Sequence, residues 1–248
     1  MIRQLSIGLL GIWLVSAAAS ASAFDDAHRR FETGDFAGAA VAYEKLLAAE
    51  GPRAAVLYNL GNSYQRLGQH GPAILAYERA RLLTPRDPDL QANLRLSRKA
   101  AAAFEEPVNH PRLHAALQFL SRNEWSWLLV GAALFLGGLT LVLGIMKVPR
   151  GGMRRIQMIS AAVAGLVFVV ASGALSLRGG EEMLGVVLSE NAAVRLSPFE
   201  SAEVLGSPGP GRTVHLGEES GGFCYVEVPG TTLRGWLARG DVAAVGLR

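Results

Sequence analysis

Two long apolar runs dominate the pattern of hydrophobic and polar positions in the second half of the chain. Residues 125–146 read WSWLLVGAALFLGGLTLVLGIM and residues 156–177 read IQMISAAVAGLVFVVASGALSL, with no Asp, Glu, Lys or Arg in either run. Each run has 22 residues, and about 20 apolar helical residues cross a hydrocarbon core of ~30 Å. Because both runs are apolar on every helical face, they predict transmembrane helices rather than soluble core helices.

The nine-residue link between the runs, residues 147–155, is basic. It carries four bases and no acid: Lys147, Arg150, Arg154 and Arg155. Short basic loops stay in the cytoplasm, so the pattern predicts a membrane hairpin that turns on the cytoplasmic side. Small-residue pairs in the runs leave two interpretations open, close helix contact or simply Ala/Gly-rich composition. The pairs are Ala133 with Gly137 and Ala161 with Gly165.

Residues 1–23 have the pattern of an export signal. Arg3 precedes an apolar stretch, Leu5–Val15, and the small residues Ala21-Ser22-Ala23 fit a cleavage site before Phe24. An uncleaved N-terminal anchor is the alternative. Either form sends residues 24–124 out of the cytoplasm. The predicted location is therefore a bacterial inner membrane, with residues 24–124 and 178–248 both on the periplasmic side.

A 34-residue self-similarity runs through residues 24–104, where Gly34, Ala39 and Tyr43 recur as Gly68, Ala73 and Tyr77. This stretch resembles tetratricopeptide repeats. Eight positions carry the resemblance: Leu57, Leu60, Gly61, Tyr64, Ala73, Tyr77, Ala80 and Pro85. The resemblance implies about two helix pairs, the first of them atypical. A capping helix is predicted to begin at Asp87-Pro88.

Tetratricopeptide arrays bind peptides in a groove lined by the first helix of each repeat. By repeat offset, the groove residues here are Tyr58, Asn62, Gln65, Arg66, Asn93 and Lys99. Asn62 and Asn93 match two positions of the clamp with which some members hold a chain-terminal carboxylate, but the other clamp positions are not basic. Peptide binding, carboxylate capture and a spacer with a solvated face therefore remain open.

Residues 105–124 are predicted to be a linker followed by an interfacial helix. Leu113, Leu117 and Leu120 form an apolar stripe at helical spacing, which is typical of a helix lying in the membrane interface. Trp125 and Trp127 would then anchor the first crossing at the headgroup level.

Residues 178–248 predict a small β-barrel. Five short apolar stretches, at 185–188, 193–196, 212–216, 223–228 and 233–237, are separated by Gly, Pro and Ser clusters. The segments AVRLSP at 193–198 and Gly235-Trp236-Leu237 resemble bacterial SH3 domains. That resemblance implies a ligand face containing Trp236 and Phe223, the latter where a tryptophan is usual. Cys224 shares a strand face with Val226 and Val228 and is predicted to be a buried small hydrophobe.

Composition narrows the function classes. A single cysteine excludes an intramolecular disulfide, and a net charge of +3 gives no basis for a nucleic-acid partner. Without a nucleophile, acid–base or metal constellation, the chain is predicted to be non-enzymatic and to need no cofactor or metal. The predicted class is a multi-domain membrane protein with an all-α repeat domain, a two-helix transmembrane hairpin and a small all-β SH3-like barrel.

This order of segments looks like the tetratricopeptide component of the Bacteroides aerotolerance (Bat) group of bacterial envelope proteins. The resemblance implies a stress-related envelope scaffold beside von Willebrand A-type membrane proteins and a MoxR-type ATPase. The expected function is thus a membrane-anchored adaptor that binds protein partners and contacts membrane lipid. Attachment to peptidoglycan through the SH3-like domain is the alternative.

Overall fold

The structure is a computed structural model, and it describes residues 22–103, 111–145, 150–178 and 183–247. It is helix-rich up to the end of the second apolar run, and an antiparallel sheet follows. The chain divides into two compact units, one formed by the segments before residue 108 and after residue 181, the other by the segment between them. Most of the predicted export signal, the predicted linker up to residue 110 and the start of the basic link lie outside the described residues.

The first unit begins with five helices. They are α1 (22–32), α2 (Phe36–Glu50), α3 (Ala54–Arg66), α4 (His70–Leu83) and α5 (Pro88–Ala100). Asp35 caps α2 by accepting from the Gly38 N–H, and Asp87 caps α5 by accepting from the Asp89 and Leu90 N–H groups. The predicted helix start at Asp87-Pro88 is thereby confirmed.

Glycines allow the tight connections and close packing of these helices. Gly34 and Gly68, 34 positions apart, turn the chain with φ of +86° and +74°, which a residue with a Cβ rarely adopts. A Cβ at Gly61 would lie 2.5 Å from the Tyr77 ring, so glycine lets α3 approach α4.

A seven-stranded antiparallel sheet follows in the same unit. Its strands are β1 (Leu184–Val187), β2 (Val194–Arg195), β3 (Val204–Gly206), β4 (Thr213–Ser220), β5 (Phe223–Glu227), β6 (Arg234–Ala238) and β7 (Val242–Ala244). The strand order is β3-β2-β6-β5-β4-β1-β7. The five predicted strand regions contain β1, β2, β4, β5 and β6 or overlap them, whereas β3 and β7 were not predicted. Each of these two strands has only three residues, too few for a clear alternation.

The helices and the sheet share a hydrophobic core. Val187 points into the sheet's own core, and its neighbour Val186 packs with helix residues such as Ile74 and Leu90. Both valines are fully buried, so β1 is covered on its two faces. The described helices α1 to α5 and strands β1 to β7, predicted above as two separate domains, therefore belong to one packed unit.

The second unit contains α6 (Pro111–Gln118), α7 (Arg122–Ile145) and α8 (Arg150–Leu177). Two stretches, Arg122–Leu143 and Arg154–Leu177, have mean hydropathies of 2.1 and 2.2 and are long and apolar enough to cross a membrane. Ser121 and Glu124 form a reciprocal capping box at the start of α7.

The contact between α7 and α8 does not use the predicted small-residue pairs. Ala133, Gly137, Ala161 and Gly165 are all exposed, and a Cβ added at either glycine would meet nothing within 4 Å. Of the two interpretations left open above, close contact between α7 and α8 through these pairs is not observed in the described residues. The small residues buried in α8 are Ala164, Ala171 and Ala174. Their i, i+7, i+10 spacing places them on one face of the helix.

After α8 the chain returns to the turn between α6 and α7. The Arg178 guanidinium is buried and donates to the carbonyls of Leu117 and Leu120, at 3.3 and 2.5 Å. The Trp125 indole N–H also donates to the Leu117 carbonyl, at 3.1 Å. The bonds to Leu117 satisfy a carbonyl in the last turn of α6, where no intrahelical partner is available, and the bond to Leu120 satisfies a carbonyl of the turn that follows.

Candidate functional site: the helical groove

Four of the six predicted groove residues form one hydrogen-bonded cluster. Tyr58, Asn62 and Gln65 follow each other at helical spacing along α3. From α5, the Asn93 amide Nδ2 donates to Asn62 Oδ1 and to the Tyr58 hydroxyl, both at 3.0 Å. The Tyr77 hydroxyl, from α4, lies 2.7 Å from both Asn62 Oδ1 and Gln65 Oε1. We refer to these five residues as the amide cluster.

Within the amide cluster, the Asn62–Asn93 pair leaves one amide NH2 donor group and one amide oxygen acceptor available. Asn62 Oδ1 accepts from Asn93 and from Tyr77, which uses both of its lone pairs. Within the described ranges, no hydrogen bond involves Asn62 Nδ2 or Asn93 Oδ1. Both side chains are half-buried. A peptide group offers one carbonyl and one N–H, so the two free amide groups match the polar groups of a peptide backbone.

The cluster is electrically neutral. Burial, with a smaller contribution from neighbouring Tyr58, raises the pKa of Tyr77 well above its usual range, so its hydroxyl stays protonated and donates. The two predicted basic groove residues are not part of the cluster. The Arg66 guanidinium stacks 4.5 Å above the Phe36 ring, and Lys99 is exposed in the last turn of α5. A carboxylate clamp needs cations beside its amides, and the amide cluster contains none.

The eight residues predicted to be structural positions of the helical repeats are buried or half-buried. Leu57, Leu60, Gly61, Ala73, Tyr77 and Ala80 are buried, whereas Tyr64 and Pro85 are half-buried. The Tyr64 hydroxyl donates to Glu44 of α2, and burial followed by this bond raises the Tyr64 pKa.

The two residues predicted for an SH3-like ligand face differ in accessibility. Trp236 is half-buried and makes an edge-to-face contact with Tyr225, its cross-strand partner, with ring centroids 5.6 Å apart. Phe223 is only 8% exposed and offers little surface to a ligand. Cys224 is buried in the sheet core, as predicted, and burial raises the pKa of its thiol.

A buried ion cluster was missed by the sequence reasoning. Glu78 of α4 is almost fully buried and accepts from Arg81 at 2.8 Å and from Arg98 of α5. The signal was present in the sequence, because Glu78 lies three and four positions after the apolar Leu75 and Ile74. That spacing places the carboxylate on the packed side of α4.

The described ranges contain no group of three or more His, Cys, Asp or Glu side chains that could hold a metal ion. No protein-family model matches the chain, and no curated protein matches it either. The fold and the amide cluster are therefore the basis of the functional proposal.

Proposed function

We propose that the chain is a non-enzymatic, membrane-anchored adaptor that binds an extended peptide segment of a protein partner in the groove between α3 and α5. The proposal rests on the hydrogen bond from Asn93 Nδ2 to Asn62 Oδ1, which leaves Asn62 Nδ2 and Asn93 Oδ1 free. Backbone capture by two amides would make binding tolerant of the partner's side chains.

The proposal includes tetratricopeptide repeats for the helices and an SH3-like fold for the sheet. The 34-residue recurrence of Gly34 and Tyr43 as Gly68 and Tyr77 supports the repeat assignment. Capture by neutral amides favours an internal peptide segment over a chain-terminal carboxylate. By resemblance to Bat-type proteins, we propose von Willebrand A-type membrane proteins and a MoxR-type ATPase as members of the same envelope complex.

The proposed topology places the groove and the sheet in the periplasm and the basic link in the cytoplasm. It is supported by the apolar stretches in α7 and α8 and by the bases of the link. A reporter active only in the cytoplasm, inserted at Gly151, is expected to be active. Activity of a periplasm-specific reporter at the same position would overturn the topology.

Peptide selection with the full chain in nanodiscs tests the groove. A displayed random-peptide library is selected on the wild-type protein, and the peptides obtained are titrated against an Asn62→Ala, Asn93→Ala double variant. Two hydrogen bonds of about 1 kcal/mol each correspond to a loss of affinity of about thirtyfold. Asn59→Ala, on the same helix but outside the cluster, is the matched control and should bind like wild type.

Two results would reject this function. One is the absence of any selected peptide, and the other is equal binding by the double variant and by wild type. Amidating the C-terminus of a selected peptide separates the two binding modes. Backbone capture predicts unchanged affinity, whereas carboxylate capture predicts loss of binding.

Peptidoglycan attachment is the second candidate, and the Tyr225–Trp236 pair favours it because half-buried aromatic rings provide an amphipathic contact surface. Full chain in detergent is mixed with purified sacculi and sedimented. Co-sedimentation that Trp236→Ala abolishes would support wall attachment. A wild-type protein that stays in the supernatant would reject it.

A further inference from the structure

The two edge strands of the sheet differ in how far other residues cover them. The β7 edge is covered, because Ala243 and Val245 pack in the core shared with the helices and Arg79 donates to the Ala244 carbonyl. The other edge strand, β3, pairs only with β2 among the described strands. An uncovered edge presents backbone N–H and C=O groups to which another strand can bind.

Exposed apolar side chains surround the β3 edge. Leu196, Phe199 and Val204 are 60%, 65% and 52% exposed, and Leu205 is also exposed. Leu205 is the extra residue of a β-bulge. Arg195 pairs with Val204 and its neighbour Val194 pairs with Gly206, so Leu205 lies between two paired residues without a pairing partner on β2. Four large apolar residues within the hairpin from Val194 to Gly206 form a patch of the kind that marks binding surfaces.

The same hairpin is acidic. Glu200 and Glu203 are exposed, and no ion pair within the described part of the chain involves either carboxylate. Arg195, the one base of the hairpin, donates its Nη1 to the Ala202 carbonyl at 3.0 Å. Residues 183–247 as a whole contain four bases and seven acids, which gives a net charge of −3. The surface therefore complements a basic partner and disfavours pairing with a second copy of itself.

We propose that the β3 edge is a second binding surface, which takes an extended segment of a partner protein in which apolar residues alternate with Lys or Arg. The segment would add to the sheet as a strand beside β3. Its backbone would pair with β3, its apolar side chains would cover Phe199 and Val204, and its bases would face Glu200 and Glu203. The surface uses none of the residues of the amide cluster, so it stands independently of the proposed groove.

The test uses full chain in nanodiscs of neutral phosphatidylcholine and the fluorescent peptide acetyl-KVKVKVK-amide. The wild-type protein is expected to bind it and to protect the Leu205 amide from hydrogen exchange. The Glu200→Lys, Glu203→Lys double variant should bind about tenfold more weakly, because two favourable charge pairs become repulsive. The matched control is Glu190→Lys with Glu218→Lys, which changes two exposed acids away from the β2–β3 hairpin, one in the turn after β1 and one in β4, and should leave binding unchanged.

A second peptide with N-methyl groups at alternate residues separates strand addition from simple charge attraction, since it keeps the charges and cannot pair its backbone. It is expected not to bind. Equal binding of both peptides, equal effects of the two double variants, or no binding by wild type would each overturn the proposal. Dimerisation of the wild-type chain would also overturn the proposal if the Glu200→Lys, Glu203→Lys double variant still dimerises and the Val204→Lys variant does not.

Discussion

The Arg79 guanidinium donates Nε and Nη2 to the carbonyl oxygen of Ala244, at 3.3 and 2.7 Å. The two residues are 165 positions apart in the chain, one on α4 and the other at the end of β7. Burial lowers the pKa of Arg79, which still carries its charge at neutral pH. The bond satisfies a carbonyl at the sheet edge with a group from the helices, so it connects the two parts of the unit directly.

Replacing Arg79 should loosen this connection. Arg79→Ala leaves the Ala244 carbonyl without its donor, at a cost of about 1–3 kcal/mol in unfolding free energy. We expect faster hydrogen exchange in β7 and a lower midpoint of thermal unfolding for the full chain in detergent. Arg95→Ala, at an exposed position of α5, is the control. If the two variants behave alike, the Arg79 bond contributes nothing to the docking of the sheet.

Gly71 should be intolerant of any side chain. A Cβ at this position would lie 2.5 Å from the Leu188 carbonyl oxygen and 2.7 Å from that of Val187. Both atoms belong to backbone, so relief requires α4 and β1 to separate. We expect Gly71→Ala to lower the unfolding free energy by about 1–3 kcal/mol and to expose β1 to hydrogen exchange.

Gly165→Ala is the control for Gly71→Ala, because a Cβ there meets nothing within 4 Å and alanine favours helix. It should leave stability unchanged or raise it slightly. A Gly71→Ala protein as stable as wild type, with β1 still protected from exchange, would show that the close approach of α4 to β1 is not required.

The contact between the helices and the sheet had a signal in the sequence. A strand with one buried face alternates between apolar and polar positions, whereas residues 184–188 read LGVVL without a polar residue. Such a run is typical of a strand buried on both sides, which implies a covering layer. What covers it could not be read from the sequence, because residues 71–79 of α4 and the β1 strand lie over a hundred positions apart.

Four of the five members of the amide cluster were predictable from the sequence, but its chemistry was not. Helical spacing and the repeat offset placed Tyr58, Asn62 and Gln65 on one face. The role of Tyr77 was not anticipated, since its repeat position indicated only a space-filling aromatic. Likewise Arg66 was expected to serve the groove, but its guanidinium lies over Phe36 of the preceding helix. Side-chain pairing of this kind depends on rotamers that no spacing rule specifies.

Tyr43 and Tyr77 lie 34 positions apart, at corresponding places in the recurring sequence pattern, and should respond oppositely to loss of the hydroxyl. Both are fully buried. Tyr77 has Asn62 and Gln65 as partners, whereas the residues 34 positions earlier are His28 and Phe31, and the Tyr43 hydroxyl has no partner in the described structure. Tyr77→Phe should therefore cost about 1–2 kcal/mol, and Tyr43→Phe should be neutral or stabilising. Thermal unfolding of the full chain in detergent measures both.

Tyr43 should also make the stability of the protein sensitive to alkaline pH. Burial, followed by the charge of Glu32, raises the pKa of Tyr43 to about 12. A group with a raised pKa contributes stability below its unfolded pKa, near 10, and loses it as the pH rises through the folded value. Wild type should lose stability between about pH 10 and 12, and Tyr43→Phe should lose less. Identical alkaline profiles for the two proteins would contradict this assignment.

Glu78 should make the helical part of the unit sensitive to acid. Burial acts to raise its pKa, but the charges and hydrogen bonds of Arg81 and Arg98 outweigh burial, and the net effect lowers the pKa from its ordinary value of 4.5. The carboxylate thus contributes stability that is present above pH 4.5 and lost as the pH falls through the lowered value. Protonation also leaves two arginines facing an uncharged group.

Glu78→Gln tests this directly. At pH 7 the variant should be about 3–5 kcal/mol less stable than wild type, because Arg81 and Arg98 lose the buried carboxylate that they share. Its unfolding midpoint should then change less than that of wild type between pH 5 and about pH 3, since no carboxylate remains at this position to protonate. Glu190→Gln, at an exposed acid in the turn between β1 and β2, should follow the wild-type profile. A Glu78→Gln profile parallel to wild type would assign the acid sensitivity to other carboxylates.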